Sequence, residues 1–236
     1  MKKTGFLFLL LMSTLPALAQ ITTGWGLELF PNLSNRRLVA YTSISEQMIQ
    51  EIEKREVSKP SYAAHLFLFW KKEKIGFQIG AGFADTGYRT VEEPIPANDP
   101  DFAIASSRRY VFQNYNLELP ASMKFYQSLS DKDLFNFMLG ANVSYNLSND
   151  TLTVLYGGEN STRRVADESD FRKINYAFTA GIGWEHRFSP TFTLILQPTF
   201  TFWMKGVLKD TIYTELNRNL YSFGVRVGFR FDRELE

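Results

Sequence analysis

Tyr115-Asn-Leu-Glu-Leu-Pro-Ala-Ser-Met-Lys-Phe-Tyr126 reads as one long β-strand whose two faces require different surroundings. Tyr115, Leu117, Leu119, Ala121, Met123 and Phe125 fall on one face, and Asn116, Glu118, Pro120, Ser122 and Lys124 on the other, because successive side chains alternate along a strand. In a soluble sandwich one apolar face of this kind supplies the core. Here at least six segments repeat the pattern, most with small or polar residues opposite, which is more apolar surface than one shared core absorbs. Alternating segments of about ten residues are the signature of a transmembrane β-barrel.

The start of the chain agrees. Met1-Lys2-Lys3, the apolar run Phe6 to Met12 and Ala17-Leu18-Ala19 before Gln20 have the layout of a secretory signal peptide cleaved after Ala19. That run is too short for a spanning helix, and no later stretch reaches the ~18 uninterrupted apolar residues one needs. The expected division is a signal peptide over residues 1–19 and an outer-membrane β-barrel over 20–236. Loss of Lys2 and Lys3 leaves 24 basic residues against 25 acidic ones, so net charge implies no nucleic acid or other polyanion as partner. The expected surroundings are outer-membrane lipid and lipopolysaccharide, with envelope proteins as partners. Cysteine is absent, so stability must come from strand pairing and closure. Aromatic residues at 15% suit a barrel with interfacial girdles.

Eight strands follow from the alternation. The first, about Thr23 to Pro31, turns Trp25, Leu27 and Leu29 outward, and the second, Tyr62 to Trp70, does so with Ala64, Leu66, Leu68 and Trp70, although Phe67 and Phe69 blur its facing. In the third, Ile75 to Phe83 alternate with Gly76, Gln78, Gly80, Gly82 and Ala84, a glycine face that belongs in a crowded interior. The fourth ends at Tyr126. The fifth runs from Phe135 to Tyr145, the sixth from Ile174 to Glu185, the seventh from Phe192 to Phe202 and the eighth from Tyr221 to Phe231. Connections alternate long and short, as in bacterial barrels with short periplasmic turns, which places both termini in the periplasm. Ser43 and Glu46 have capping-box spacing before Met48, Ile49 and Ile52, predicting a short helix in the first long loop. Only about five residues follow the last strand, too few for a peptidoglycan-binding module.

The Tyr115–Tyr126 segment resembles the aromatic-x-Leu-Glu-Ile-Pro-Leu-x-x-Lys-Tyr strand of the PorT-like outer-membrane β-barrel family, with Glu118, Leu119, Pro120 and Lys124 matching and Ala121 departing from the larger apolar residue. Phe77 to Tyr88, ending Ala84-Asp85-Thr86-Gly87-Tyr88, is similar to that family's third strand and loop. The resemblance implies an eight-stranded outer-membrane barrel. PorT itself is linked to type IX secretion, but Gly24-Trp25-Gly26-Leu27-Glu28 does not resemble the start of PorT, so the family is carried over without that role.

Catalytic chemistry finds little support. Glu185-His186 with Ser189 resembles the Glu-His-x-Ser of lipid A deacylase barrels, but Phe188 occupies the serine's place and His186 falls at the periplasmic end of its strand. His65 lacks a nucleophile and reads as a packing residue. Asp167, Glu168 and Asp170 could hold calcium weakly, though a solvated loop is the better reading. Asp150-Thr151-Leu152 and Asp210-Thr211-Ile212 resemble a bacterial O-glycosylation sequon and fall in expected loops. No catalytic residue, metal ligand or cofactor is expected.

The specific signal is the charge on inward faces: Glu28, Glu118 and Arg226 near mid-strand, and Lys124, Glu185, Arg187 and Arg230 nearer the periplasm. Isolated buried charges are expensive, so these should pair across the lumen, with Arg226 between Glu28 and Glu118. An eight-stranded barrel is just wide enough for side chains to fill it. The expected protein is a closed, non-enzymatic scaffold or accessory subunit of an envelope complex, acting through its long loops or its lipid-facing wall. The alternative is a PorT-type secretion component or a narrow transport barrel.

Overall fold

Each wall strand pairs antiparallel with the next, and the last pairs with the first. The computed structural model describes residues 21–41, 44–158, 161–167, 169–210 and 215–234. The expected signal peptide lies outside the described residues. In chain order the elements are β1 (Ile21–Ala40), α1 (Glu46–Arg55), β2 (Glu56–Val57), β3 (Lys59–Lys72), β4 (Ile75–Thr90), β5 (Glu93–Pro94), β6 (Ser107–Ser128), β7 (Asp133–Tyr156), β8 (Ser161–Ala166), β9 (Ile174–Ser189), β10 (Phe192–Trp203) and β11 (Leu216–Glu234). The ring runs β1-β3-β4-β6-β7-β9-β10-β11 and closes where Trp25 pairs with Phe231 and Leu33 with Phe223. The protein is an all-β, eight-stranded antiparallel transmembrane barrel. Among the described residues no helix is long and apolar enough to cross a membrane.

Lipid position follows from the outward aromatics. Near the end that carries both strand termini, Trp25, Trp70, Phe77, Phe125, Phe135, Trp184 and Phe231 face out, and toward the loop end Tyr62, Phe83, Tyr115, Tyr145 and Tyr176 do so. Tyr115 to Phe125 is ten steps, which at about 3.4 Å per residue and a tilt of about 40° gives a band roughly 26 Å high. That equals the apolar band of an outer-membrane barrel. The two aromatic rings are its interfacial girdles.

The interior is filled by complementary shapes. Phe67 and Phe69, whose facing was ambiguous, point inward and are buried. Phe67 Cζ lies 2.6 Å from where a Cβ on Gly26 would stand, and Phe69 Cε2 2.8 Å from one on Gly76. Glycine is thus required where phenylalanine crosses the lumen. Phe67, Phe69, Tyr126 and Ile195 form one apolar cluster there.

The strands outrun the expected ones at the loop end. Asn149 to Tyr156, expected in a loop, continue β7 and pair with β6 and β8. Asp150-Thr151-Leu152 therefore lies in a strand, with Asp150 buried, and is not a loop sequon as expected. Thr211 of the second sequon lies outside the described residues. A register shift between Tyr115 and Asn116 marks the level where the paired rim begins. The expected helix is present as α1, but its cap is Ser45, whose side chain accepts from the Met48 amide at 3.3 Å. Ser43 lies outside the described residues.

Candidate functional site: the lumen and its loop-end mouth

Five strands, β3, β6, β9, β10 and β11, contribute to the lower lumen. Arg230 on β11 donates Nη1 to Glu185 Oε2 on β9 at 2.7 Å and Nε to Asp232 Oδ1 at 2.6 Å, with its guanidinium 4.0 Å from the centre of the Phe69 ring. Tyr126 Oη donates to Glu185 Oε1 at 2.8 Å, and Thr193 Oγ1 to Asp232 Oδ2 at 2.7 Å. Lys124 Nζ, fully buried, stands 3.7 Å from Glu185 Oε1 without a hydrogen bond among the described residues. Arg187 sits opposite Thr193 but forms no ion pair or side-chain hydrogen bond among the described residues. Alternation assigned Arg187 to this network; a register shift at Phe192/Thr193 displaces the end of β9.

Above this tier, Arg226 donates Nη1 to Glu28 Oε1 and lies 4.7 Å over the Phe30 ring. Glu118 does not share that arginine, contrary to the expected arrangement. Its Oε2 lies 3.0 Å from Nε2 of His65, whose Nδ1 is 3.7 Å from Glu28 Oε1. His65 points inward from β3 and bridges the two carboxylates, a role that a lone histidine in the sequence did not disclose. Parity with the buried Phe67 and Phe69 is the signal that would have found it. Asp232 was missed because it continues the inward face of the eighth strand beyond Arg230, the last residue singled out on it, whereas Gln78, already placed on an inward face, donates Nε2 to Glu28 Oε2 at 3.4 Å.

The upper lumen is neutral. Asn114, Asn116, Asn146 and Asn149 are buried together, with Asn149 Nδ2 donating to Asn146 Oδ1 at 2.8 Å and Asn116 Nδ2 to Thr86 Oγ1 at 3.2 Å. Lys59 Nζ pairs with Asp85 Oδ1 at 2.6 Å on the wall beside them. An apolar lid of Tyr88, Ala177, Trp203, Leu220, Phe112 and Val207 closes the mouth. A void of about 30 Å³, enough for a water molecule, remains between the asparagines and the lid. On the rim, Glu56 accepts from Arg36 Nε at 2.6 Å and Arg218 Nη2 at 2.7 Å.

The candidate catalytic atoms are not assembled. His186 Nδ1 lies 2.8 Å from Asp133 Oδ1 near the termini, whereas Ser189 Oγ contacts Thr191 Oγ1 at 3.2 Å. Among the described residues no group of three or more His, Cys, Asp or Glu side chains could hold a metal ion. Asp170 instead lies 2.5 Å from Lys209, Asp167 accepts from Ser169, and Glu168 lies outside the described residues.

A family model described as outer membrane protein beta-barrel domain matches residues 19–205. Among solved structures the chain is similar to Neisserial surface protein A, at 13% identity over 88% of this chain and 96% of that one, TM-score 0.42. It is similar to the outer membrane protease OmpT from Escherichia coli, at 8% identity over 92% and 97%, TM-score 0.43. It is also similar to Ail, the attachment invasion locus protein of Yersinia pestis, at 8% identity over 90% and 99%, TM-score 0.33. No curated protein matches the chain. The fold rests on the closed strand ring and the family match.

Proposed function

Because this chain belongs to the outer membrane protein beta-barrel domain family, we propose that it is a closed, non-catalytic barrel that serves as a scaffold or accessory subunit of an envelope complex. On this reading both termini face the periplasm and the loop end faces outward. One observation carries it: the lumen is occupied from wall to wall by ion pairs and aromatic rings, while β6 and β7 continue past the girdle into a paired rim. A filled lumen favours presentation of a surface over passage of a solute.

Co-purification in gentle detergent tests the proposal, and an envelope protein retained in fixed ratio is the expected result. Steady, large conductance of the wild-type protein in planar bilayers would overturn the closed lumen. A deletion strain that loses type IX cargo secretion would assign the PorT-type role instead.

A further inference from the structure

The loop-end mouth holds a cavity of about 220 Å³ beside the asparagine layer, lined in part by Tyr88, Phe112, Asn114, Asn149, Phe171 and Arg218. We infer that this cavity is a binding site for one neutral sugar ring. The inference deepens the scaffold reading, on which it rests, by naming the chemistry of what the rim meets.

Three groups on the cavity wall keep polar atoms without hydrogen-bond partners among the described residues. Tyr88 is more than nine-tenths buried and stacks on Phe112 at 4.6 Å between centroids, yet its hydroxyl bonds to no described residue. Asn114, equally buried, donates Nδ2 to Asn149, which leaves its Oδ1 as an open acceptor. Arg218 spends Nε and Nη2 on Glu56 and keeps Nη1 as an open donor. Tyr88 and Asn114 are buried and Arg218 is half-buried, so the polar atoms that they turn to this cavity, unpaired within the protein, are left for a ligand or water.

The mixture selects the ligand class. An acceptor, a donor and a hydroxyl that is both match the hydroxyl groups of a polyol, each of which also donates and accepts. Phe171, Val207 and the Phe112 edge supply an apolar wall suited to the C–H face of a ring. Two arginines share Glu56, and Asp167 on the cavity wall offsets the remaining positive charge, so a phosphate or a free amine gains no net attraction. The volume lies below the roughly 300–1,000 Å³ of pockets for drug-sized ligands, which limits the occupant to one ring. A second depression of about 330 Å³ shares Asn149, Asp167, Ser169 and Phe171 with the first and reaches the exposed Lys173, giving room for an adjoining unit. A free sugar and the terminal unit of a surface glycan satisfy the same chemistry.

The test uses the full chain in lipid nanodiscs, titrated by calorimetry and saturation-transfer NMR with glucose, galactose, N-acetylglucosamine and an oligosaccharide released from lipopolysaccharide by mild acid. Saturable binding of at least one probe is expected. Tyr88→Phe keeps the ring stack and should weaken binding about 5- to 10-fold, the effect of one lost hydrogen bond. Phe171→Ala should abolish it, and the outward Tyr62→Phe should leave it unchanged. Tighter binding of the oligosaccharide than of any monosaccharide assigns a surface glycan as the source; equal binding assigns the free sugar. Absence of saturable binding with every probe, or wild-type affinity in both Tyr88→Phe and Phe171→Ala, overturns the inference. The scaffold reading fails separately, through the conductance and co-purification results.

Discussion

The His65 ring lies between two carboxylates, with Nε2 3.0 Å from Glu118 Oε2 and Nδ1 3.7 Å from Glu28 Oε1. Through Glu28 it is also coupled to Arg226, so that four side chains from β1, β3, β6 and β11 hold one another at mid-lumen. Removing one member leaves a buried charge uncompensated, which typically costs about 3–5 kcal/mol. His65→Leu and Arg226→Ala should therefore each lower the unfolding free energy, measured by urea titration of the folded, heat-modifiable form, by that order. Lys209→Ala, at an exposed pair with Asp170, should change it by less than about 1 kcal/mol. The double variant should lose less than the two singles together, because both act on Glu28. Equal effects of Arg226→Ala and Lys209→Ala would show that the tier does not stabilise the barrel.

Gly82 and Gly228 both face the lumen, yet they should respond differently to alanine. A Cβ on Gly82 would strike the Ala64 carbonyl oxygen and stand 2.7 Å from His65 Cα, both backbone atoms of the neighbouring strand. The nearest atoms to a Cβ on Gly228 all belong to the Ile195 side chain, with Cβ at 3.2 Å and Cδ1 at 3.4 Å. Gly82→Ala should force β3 and β4 apart and abolish the fast-migrating folded band, whereas Gly228→Ala should retain it. Unheated gel migration of refolded protein decides between the two outcomes, and a normally folded Gly82→Ala would contradict the close strand approach.

The wall was legible because lipid enforces alternation: Trp25, Leu117 and Phe137 face out while Glu28, Glu118 and Asn136 face in. Beyond the girdle both faces of a strand meet water or other loops, so alternation lapses and the extension of β7 to Tyr156 reads as polar loop. The inward charges were legible individually, since parity alone places Arg230 and Glu185 inside. Their pairing was not. Which acid meets Arg226 depends on strand register and on His65 reaching Glu118 before the arginine does, and neither is encoded in the spacing within one strand. The cavity beside Tyr88 was invisible for a further reason: Phe171, Asn114 and Arg218 come from separate segments and meet only when the rim is built.

Helix α1 buries none of its residues, so its position depends on its ends. Arg36 supplies the anchor, donating Nη2 to the Ile52 and Glu53 carbonyls at 3.2 and 3.3 Å while Nε binds Glu56. A cation against the last carbonyls of a helix also complements its dipole. Glu56 is shared with Arg218 of β11, so this one carboxylate fastens the first loop to the closing strand. Glu56→Ala removes two charge-assisted contacts of about 1.5–3 kcal/mol each. Trypsin cleavage after Lys54 or Arg55 should accelerate by about tenfold or more, while the urea midpoint of the barrel stays near that of wild type. Unchanged cleavage would mean that α1 is held by something other than Glu56.

Asp210 ties the last loop to the first. Arg172 Nη2 approaches its Oδ2 at 2.6 Å, and Tyr41 Oη donates to its Oδ1 at 3.0 Å. Burial works against the charge, but the hydrogen bonds from Arg172 and Tyr41 and the attraction of the guanidinium prevail, holding the carboxyl below its usual range. The sign follows: the unfolded loop takes up a proton near pH 4, which the folded loop resists, so the contact stabilises fully above that pH. The contribution is lost as pH falls further, through the depressed folded value. The chain has no cysteine, so a single Glu215→Cys spin label, at an exposed position of this loop, reports on it without a competing thiol. Label mobility should stay constant from pH 8 to about 5 and rise with a midpoint below the usual carboxylate value of about 4. Arg172→Gln should move that midpoint upward. A wild-type midpoint at or above the ordinary value, or one that Arg172→Gln leaves in place, would show that Asp210 does not hold the two loops together.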